Sequence, residues 1–313
     1  MTAIRTEALS RTFGPVTALD NLTLEVQRGE IFGLVGPDGA GKTTTMRLLT
    51  AILEPSAGDA WVAGHHIVRE AERIKEKIGY MSQQFGLYVD LTVEENIRFY
   101  ADIYQVPRRG LDEKIDELLS FSDMLRFRRR QAGRLSGGMK QKLGLCCTLV
   151  HTPDILFLDE PTNGVDPVSR RDFWRMLYQL LRRQVTIFVS TAYLEEAERC
   201  RRVALLHQGR LLSCGTPAEV KTVMHDTVLE ITVAEPRRVQ QLLKESGEMG
   251  RTALFGHKLH LVTADAVASR RRIDAVLQQA GLPAAEIRPV EPSLEDVFVA
   301  VLSPGEDTDA VTR

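Results

Sequence analysis

The sequence predicts an α/β protein, a mostly parallel sheet flanked by helices, followed by a second and smaller α+β domain. Three observations carry this. A glycine-rich loop, Gly36-Pro37-Asp38-Gly39-Ala40-Gly41-Lys42-Thr43-Thr44, sits between an apolar run (31–35) and a segment (44–53) whose apolar residues recur at helical spacing. Strand-like and helix-like segments then alternate to about residue 223, the rhythm of a parallel sheet with helices packed on it. Beyond that point the pattern changes to βαββαβ, a different order of elements and hence a separate domain.

Taken in order, residues 2–30 alternate apolar and polar in short pieces, as a half-buried antiparallel sheet would. Phe13 precedes Gly14-Pro15 and is expected on a turn. After the glycine-rich loop and its helix, Glu54-Pro55-Ser56-Ala57-Gly58 breaks the chain, and 59–68 returns as a strand. A further strand starts at Ile78 and runs into a loop holding Gln83. Periodicity is helical from Thr92 to about Leu125, with Thr92-Val93-Glu94-Glu95 resembling a capping box. The stretch 126–134 is basic. Leu135-Ser136-Gly137-Gly138 then opens a helix over 139–150, so that about 90–150 forms a helical part. The all-apolar run 155–158 ends in Asp159-Glu160, as expected of a strand covered on both faces. Helix (167–183), strand (185–190), helix (194–200) and strand (202–207) follow.

The second domain, 224–303, reads as strand (228–233), helix (236–246), a hairpin across Gly256 (252–255 and 258–262), helix (266–280) and strand (286–290). That order is the split βαβ of ferredoxin-like folds. Residues 293–302 form a capped closing helix, and the polar tail 304–313 is expected to be disordered.

Composition narrows the function. With 313 residues, 43% apolar residues and a formal net charge of −2, the chain has no bulk attraction for nucleic acid or anionic lipid. The cysteines (Cys146, Cys147, Cys200, Cys214) lack C-x-x-C spacing and read as reduced core thiols. No apolar run approaches membrane-spanning length, and no signal-peptide plan opens the chain. A membrane role would need a partner to supply the span. The pair His65-His66 follows Gly64 on an expected turn and reads as solvent-exposed imidazoles.

The loop itself carries chemistry. G-x-x-x-x-G-K-T between a strand and a helix is a phosphate site: the glycines let backbone N–H groups turn inward, and the helix N-terminus adds partial positive charge. Lys42 can reach β/γ-phosphate oxygens, and the Thr43 hydroxyl is placed to ligate Mg²⁺. The ligand is a nucleoside triphosphate.

In sequence order, GPDGAGKT (36–43), LSGGMKQKL (135–143) and ILFLDE (155–160) resemble the nucleotide-binding subunit of an ATP-binding-cassette (ABC) transporter, over residues 1 to about 220. LSGG shortly before the acidic strand is far more specific than the phosphate loop. The chain is similar to drug- and ABC-2-type exporter ATPases, whose C-terminal extension ends in a motif matched by Pro292-Ser293-Leu294-Glu295-Asp296-Val297-Phe298. Asp38, where Asn or Ser is commoner, resembles cassettes of the YbhF type.

The resemblance implies a P-loop NTPase cassette with an antiparallel β subdomain and a helical subdomain, using ATP and Mg²⁺. It implies that Gly36 to Thr44 hold the phosphates, that Asp159 holds Mg²⁺ together with Thr43, and that Glu160 polarises the attacking water. Gln83 resembles the glutamine that touches metal or water and couples to the membrane subunit. Phe13 matches the aromatic that stacks on adenine, a core aromatic being the other reading. Gly164-Val165-Asp166 resembles a loop that crosses a dimer interface. Ser136, Gly137 and Gly138 would contact the γ-phosphate bound to a second cassette, in a homodimer or heterodimer. The other partner implied is an ABC-2-type membrane-spanning permease, with the cassette peripheral on the cytoplasmic face of the membrane. No nucleic acid is expected, although Arg126-Phe127-Arg128-Arg129-Arg130 interleaves an aromatic with basic residues.

One position departs from the family. The histidine expected after the strand ending in Ser190-Thr191 is Ala192, and the next histidine is His207. Loss of one preorganised donor to the γ-phosphate costs about 10²–10³ in rate. Normal binding with slow hydrolysis is the expectation, and an asymmetric dimer would reconcile that with Glu160. Two other readings stay open: a regulatory cassette with little turnover, and a non-transport cassette ATPase acting on nucleic acid or ribosomes.

Overall fold

The computed structural model describes residues 1–222, 224, 226–246, 252–255 and 257–302. It divides into two compact units, 1–216 and 217–313, earlier than the expected boundary near 223, because the short helix after Thr216 belongs to the second unit.

The first unit opens with β1 (Thr2–Phe13) and β2 (Val16–Gln27), an antiparallel pair whose inward residues Ile4, Leu9, Leu22 and Val26 are fully buried. β3 (Ile31–Val35) runs directly into the glycine loop, and α1 (Lys42–Leu49) leaves it. This helix starts earlier than expected and ends at Thr50, before Ala51 takes a positive φ of 55°. β4 (Ala57–Val62) and β5 (His65–His66) replace the single strand expected over 59–68, because Ala63 and Gly64 turn the chain with φ of 52° and 84°. Next come α2 (Ala71–Lys77), which the sequence reading left out, and β6 (Ile78–Met81).

The helical stretch after Thr92 is two helices, α3 (Val93–Ile103) and α4 (Leu111–Phe121). Pro107 and Gly110 (φ 80°) lie in the break between them. Thr92 caps α3 in a full capping box: its side chain accepts from Glu95 N–H, and Glu95 reaches back to Thr92 N–H at 2.8 Å. α5 (Gly137–Leu149) packs on α3 and α4. β7 (Ile155–Asp159), α6 (Pro167–Arg182), β8 (Thr186–Thr191), α7 (Leu194–Ala197) and β9 (Arg202–His207) follow near the expected places. β10 (Arg210–Gly215) is an edge strand that the sequence reading left out.

Among the described residues, the first unit holds two sheets. One is antiparallel, ordered β2-β1-β4-β5; the other is ordered β10-β9-β3-β8-β7-β6 and is parallel except for β10. β3, β7 and β8 are buried along their whole length, so their apolar runs need no alternation. Phe32 and Phe188 stack with ring centroids 5.5 Å apart, joined in the core by Phe157 and by Met46 and Leu49 of α1. The ends of β3, β7 and β8 therefore stand side by side, where the functional loops emerge.

The second unit has α8 (Pro217–Lys221), β11 (Thr227–Thr232), α9 (Pro236–Glu245), β12 (Thr252–Phe255), β13 (Lys258–Thr263), α10 (Ala266–Gln279), β14 (Glu286–Val290) and α11 (Leu294–Leu302). Its antiparallel sheet is ordered β12-β13-β11-β14. Leu229 and Ile231 on one face pack with Leu259, Leu261, Val239, Leu243, Ile273 and Leu277, the inward residues of the strands and of α9 and α10. On the other face lies α11, with Leu294 and Val297 buried and its acid paired to the sheet. Asp296 accepts from Ser293 N–H (2.8 Å) and Ser293 O–H (2.7 Å) and meets His260 Nδ1 at 3.0 Å. The motif Pro292 to Phe298 is thus a helix cap whose acid also ties the helix to β13. Residues 304–313 and Gly256 lie outside the described residues.

Candidate functional site

The phosphate loop is held in shape by steric necessity at two glycines. A Cβ on Gly36 would sit 2.2 Å from the Leu206 carbonyl oxygen, and Gly41 has φ 104° with the Ala18 carbonyl 2.5 Å from where its Cβ would be. Gly41 is the N-cap of α1 and supplies no side-chain cap. The first N–H groups of that helix are therefore left for an anion to satisfy. The Ala18 contact also sets the β1–β2 hairpin beside the loop. Phe13 lies at the end of that hairpin, 45% exposed, with the Arg11 guanidinium 4.6 Å from its ring centre.

Lys42 folds back over its own loop. Its ammonium donates to the Gly36 carbonyl (2.8 Å) and the Pro37 carbonyl (2.9 Å), and lies 3.0 Å from Glu160 Oε1. Two of its protons thus go to backbone carbonyls while its charge faces a carboxylate. Asp38 and Gly39 are exposed, Ala40 is buried, and Thr43 and Thr44 are half-buried on the first turn of α1.

Glu160 sits just past β7 with φ 48°, a strained torsion for a residue with a side chain. The other Glu160 oxygen accepts from Gln83 Nε2 (3.0 Å) and Asn163 Nδ2 (3.3 Å). Lys42, Gln83 and Glu160, drawn from three separate segments, are thus brought together. Asp159 is 1% exposed; its Oδ1 accepts from Ser190 O–H at 2.6 Å. Its Oδ2 is buried with no hydrogen-bond partner among the described residues. A bare carboxylate oxygen beside a hydroxyl-bearing phosphate loop fits a hard divalent cation. Burial, followed by the Asp159 charge, pushes the nearby Tyr80 phenol up to about 12, so it stays protonated.

Ser136 is the N-cap of α5, its hydroxyl oxygen accepting from Met139 N–H at 3.4 Å. Ser136 and Gly137 are exposed, whereas Gly138 is buried against Ser169 of α6, where a Cβ would come within 2.4 Å. Among the described residues, no hydrogen bond or ion pair joins Ser136, Gly137 or Gly138 to the loop 36–43. Asp166 caps α6, accepting from Val168 and Ser169 N–H.

Ala192 is exposed in a bend after β8. Beside it, Tyr193 O–H donates to Asn163 Oδ1 (3.2 Å) and its ring lies under Arg170. Ser190 and Asn163, which touch both acids between them, were missed by the sequence reading. A buried serine paired in register with the acid at the end of β7 is visible only once the two strands are side by side.

One surface expectation changes. His66 is buried, with Nε2 2.8 Å from Asp59 Oδ1, because β5 folds back on β4 and sets its ring edge-on to Trp61; the half-buried His65 meets Glu70 at 3.1 Å. Within the basic stretch, Phe127 lies between Arg126 and Arg130, and Arg128 pairs with Asp116 and Glu94. The hydrogen bond from Arg128 holds the Glu94 carboxyl down at about 2.

Comparison with known proteins accords with this geometry. The ABC transporter family model matches residues 19–163. The probable multidrug ABC transporter ATP-binding protein YbhF of Escherichia coli is 41% identical over 220 residues, 70% of this chain and 38% of that relative's length. The chain thus spans well under half of that relative. The daunorubicin resistance ATP-binding protein DrrA3 of Streptomyces coeruleorubidus is 33% identical, covering 95% of each chain. The Nod factor export ATP-binding protein I of Paraburkholderia xenovorans is 35% identical, covering 95% of this chain and 96% of the relative. Among solved structures, an ATP-binding subunit of an ABC transporter matches 71% of this chain and 93% of its own at TM-score 0.64 and 28% identity. No helix among the described residues is long and apolar enough to cross a membrane. With the phosphate loop, the acidic strand end and the serine–glycine helix tip all in place, the chain belongs to the ABC transporter family, as an ATP-binding cassette within a family of ATPases.

Proposed function

We propose that this chain is the motor subunit of an ABC-2-type exporter, in which ATP binding closes two cassettes and hydrolysis reopens them. The observation that carries the reading is the convergence of Lys42, Gln83 and Glu160 beside the bare oxygen of Asp159. In this reading the backbone from Gly36 to Thr44 grips the triphosphate, Lys42 leaves Glu160 for the β/γ oxygens, and Phe13 stacks on adenine. Thr43, Asp159 and Gln83 would hold Mg²⁺, which when bound neutralises charge on the β- and γ-phosphates. Glu160 then takes a proton from the attacking water.

Ser136, Gly137 and Gly138 serve a second cassette's γ-phosphate. The exposure of Ser136 and Gly137 at a helix N-terminus supports this, since a trianion suits such a tip. The partners are that second cassette, as homodimer or heterodimer, and a permease that spans the membrane; the cassette then sits peripherally on the cytoplasmic face, with no role for nucleic acid. Drug resistance and factor export in the relatives' names support an exporter. The cassette ends near the unit boundary, and the element and sheet order of the second unit support a ferredoxin-like extension.

Ala192 favours a second reading, a regulatory cassette with little turnover of its own, its LSGG serving a competent partner. Cross-linking tests the shared site. In a chain carrying Ser136→Cys and Asp38→Cys, a short bifunctional reagent should join the two positions between copies, or between this chain and a co-expressed second cassette, only when ATP is present. Cross-links confined to one chain would overturn the dimeric motor.

A further inference from the structure

We infer that Ser190 is a positioning residue that orients both acids of the site, aiming the free oxygen of Asp159 at the metal and holding the backbone of Glu160. The inference rests on the reading of the site above and deepens it. Ser190 is fully buried on β8, and in the parallel register its Cα partner on β7 is Asp159. Paired residues of adjacent strands project to the same face. A hydroxyl buried this completely costs free energy unless it is hydrogen-bonded.

Both capacities of this hydroxyl are used on the two acids. It donates to Asp159 Oδ1 at 2.6 Å and accepts from Glu160 N–H at 3.0 Å. The direction is fixed by chemistry, since a backbone N–H can only donate and an ionised carboxylate can only accept. Two consequences follow. The Asp159 carboxylate is anchored by one oxygen, so its partnerless Oδ2 keeps a single orientation. Glu160 is steadied at φ 48° by two acceptors from one residue, the Ser190 hydroxyl and the Ser190 carbonyl at 3.2 Å. With its hydroxyl engaged by both acids, Ser190 acts through its neighbours.

The test separates this role from plain support of the strand. ATP affinity is measured in EDTA, and Mn²⁺ affinity of the ATP-loaded protein is measured by electron paramagnetic resonance, for the unaltered chain, Ser190→Ala and Ser190→Thr. The expected result is ATP affinity in EDTA unchanged by Ser190→Ala, with Mn²⁺ binding about 10–100-fold weaker, as for other residues that orient a metal ligand. Ser190→Thr, which keeps the hydroxyl, should restore it. Ser190→Cys keeps the volume with a weaker donor and carries the same expectation should the alanine variant not fold. Mn²⁺ affinity unchanged in the variant, or equal losses with and without metal, overturns the inference. An unaltered chain whose ATP binding ignores Mn²⁺ would instead sink the reading of the site.

Discussion

Replacing Glu160 by Gln removes a charge and almost no volume, and it should move ATP binding and ATP hydrolysis in opposite directions. Glu160 lies 3.0 Å from the Lys42 ammonium, with side chains 9% and 4% exposed. At an effective dielectric constant of about 20, that separation is worth about 5.5 kcal/mol of attraction. Desolvation of the two charges cancels most of it, leaving about 1–2 kcal/mol. A triphosphate that recruits Lys42 must break this pair and must also settle beside a like charge. Glu160→Gln should therefore tighten ATP binding about 5–30-fold, while lowering turnover about 10²–10⁴-fold through loss of the proposed general base. Titration with a fluorescent ATP analogue reads the first effect and single-turnover phosphate release the second. ATP bound no more tightly by the variant refutes the reasoning, because the pair then does not compete with the nucleotide.

The other predictions concern separate places. Ala192→His should raise turnover of the purified chain by about 10²-fold or more with little change in ATP affinity; equal rates would mean that the missing imidazole does not limit this site. Gly36→Ala forces a Cβ to within 2.2 Å of the Leu206 carbonyl oxygen. About 1–3 kcal/mol should be lost to overpacking, seen as a lower melting temperature together with weakened ATP binding, and an unchanged melting curve would count against the tight approach. In the second unit, burial pulls the His260 imidazole down, yet Asp296 and then Glu230 outweigh it and leave the group raised above 6.5. Its stabilising effect is complete below about 6.5 and fades as pH rises through the raised folded value. Asp296 is lowered, its burial outweighed by His260 and Ser293, so its contribution fades as pH falls below 3.8. Hydrogen exchange of β11 and β13 should thus accelerate as pH rises above 6.5, beyond the intrinsic pH effect, and His260→Gln should flatten that trend. An identical trend in the variant would rule out the His260–Asp296 tie.

Features encoded by neighbouring residues were legible in advance. The strand–loop–helix around Gly36 to Thr44 needs only an apolar run, glycines free to turn and a helical period. The Thr92 capping box and the buried strand ending in Asp159 are local in the same sense. The extension's element order could be read because each strand and helix there carries its own periodicity. Places where distant segments decide were not legible. His66 is buried only because a turn at Ala63-Gly64 returns it to Trp61 and Asp59, and β10 exists by pairing with β9.

The sequence by itself determined that a phosphate loop, an acidic strand end and a serine–glycine helix tip exist, since glycine torsions, side-chain period and caps act within a few residues. Tertiary structure alone decided which of them meet. β8 comes later in the chain than β3 and β7, yet it inserts between them in the sheet. That insertion carries Ser190 to Asp159 and Glu160 and brings the end of β7 within reach of Lys42. Sheet order follows from the burial of whole strands against one another, a long-range free energy that no short stretch of residues contains.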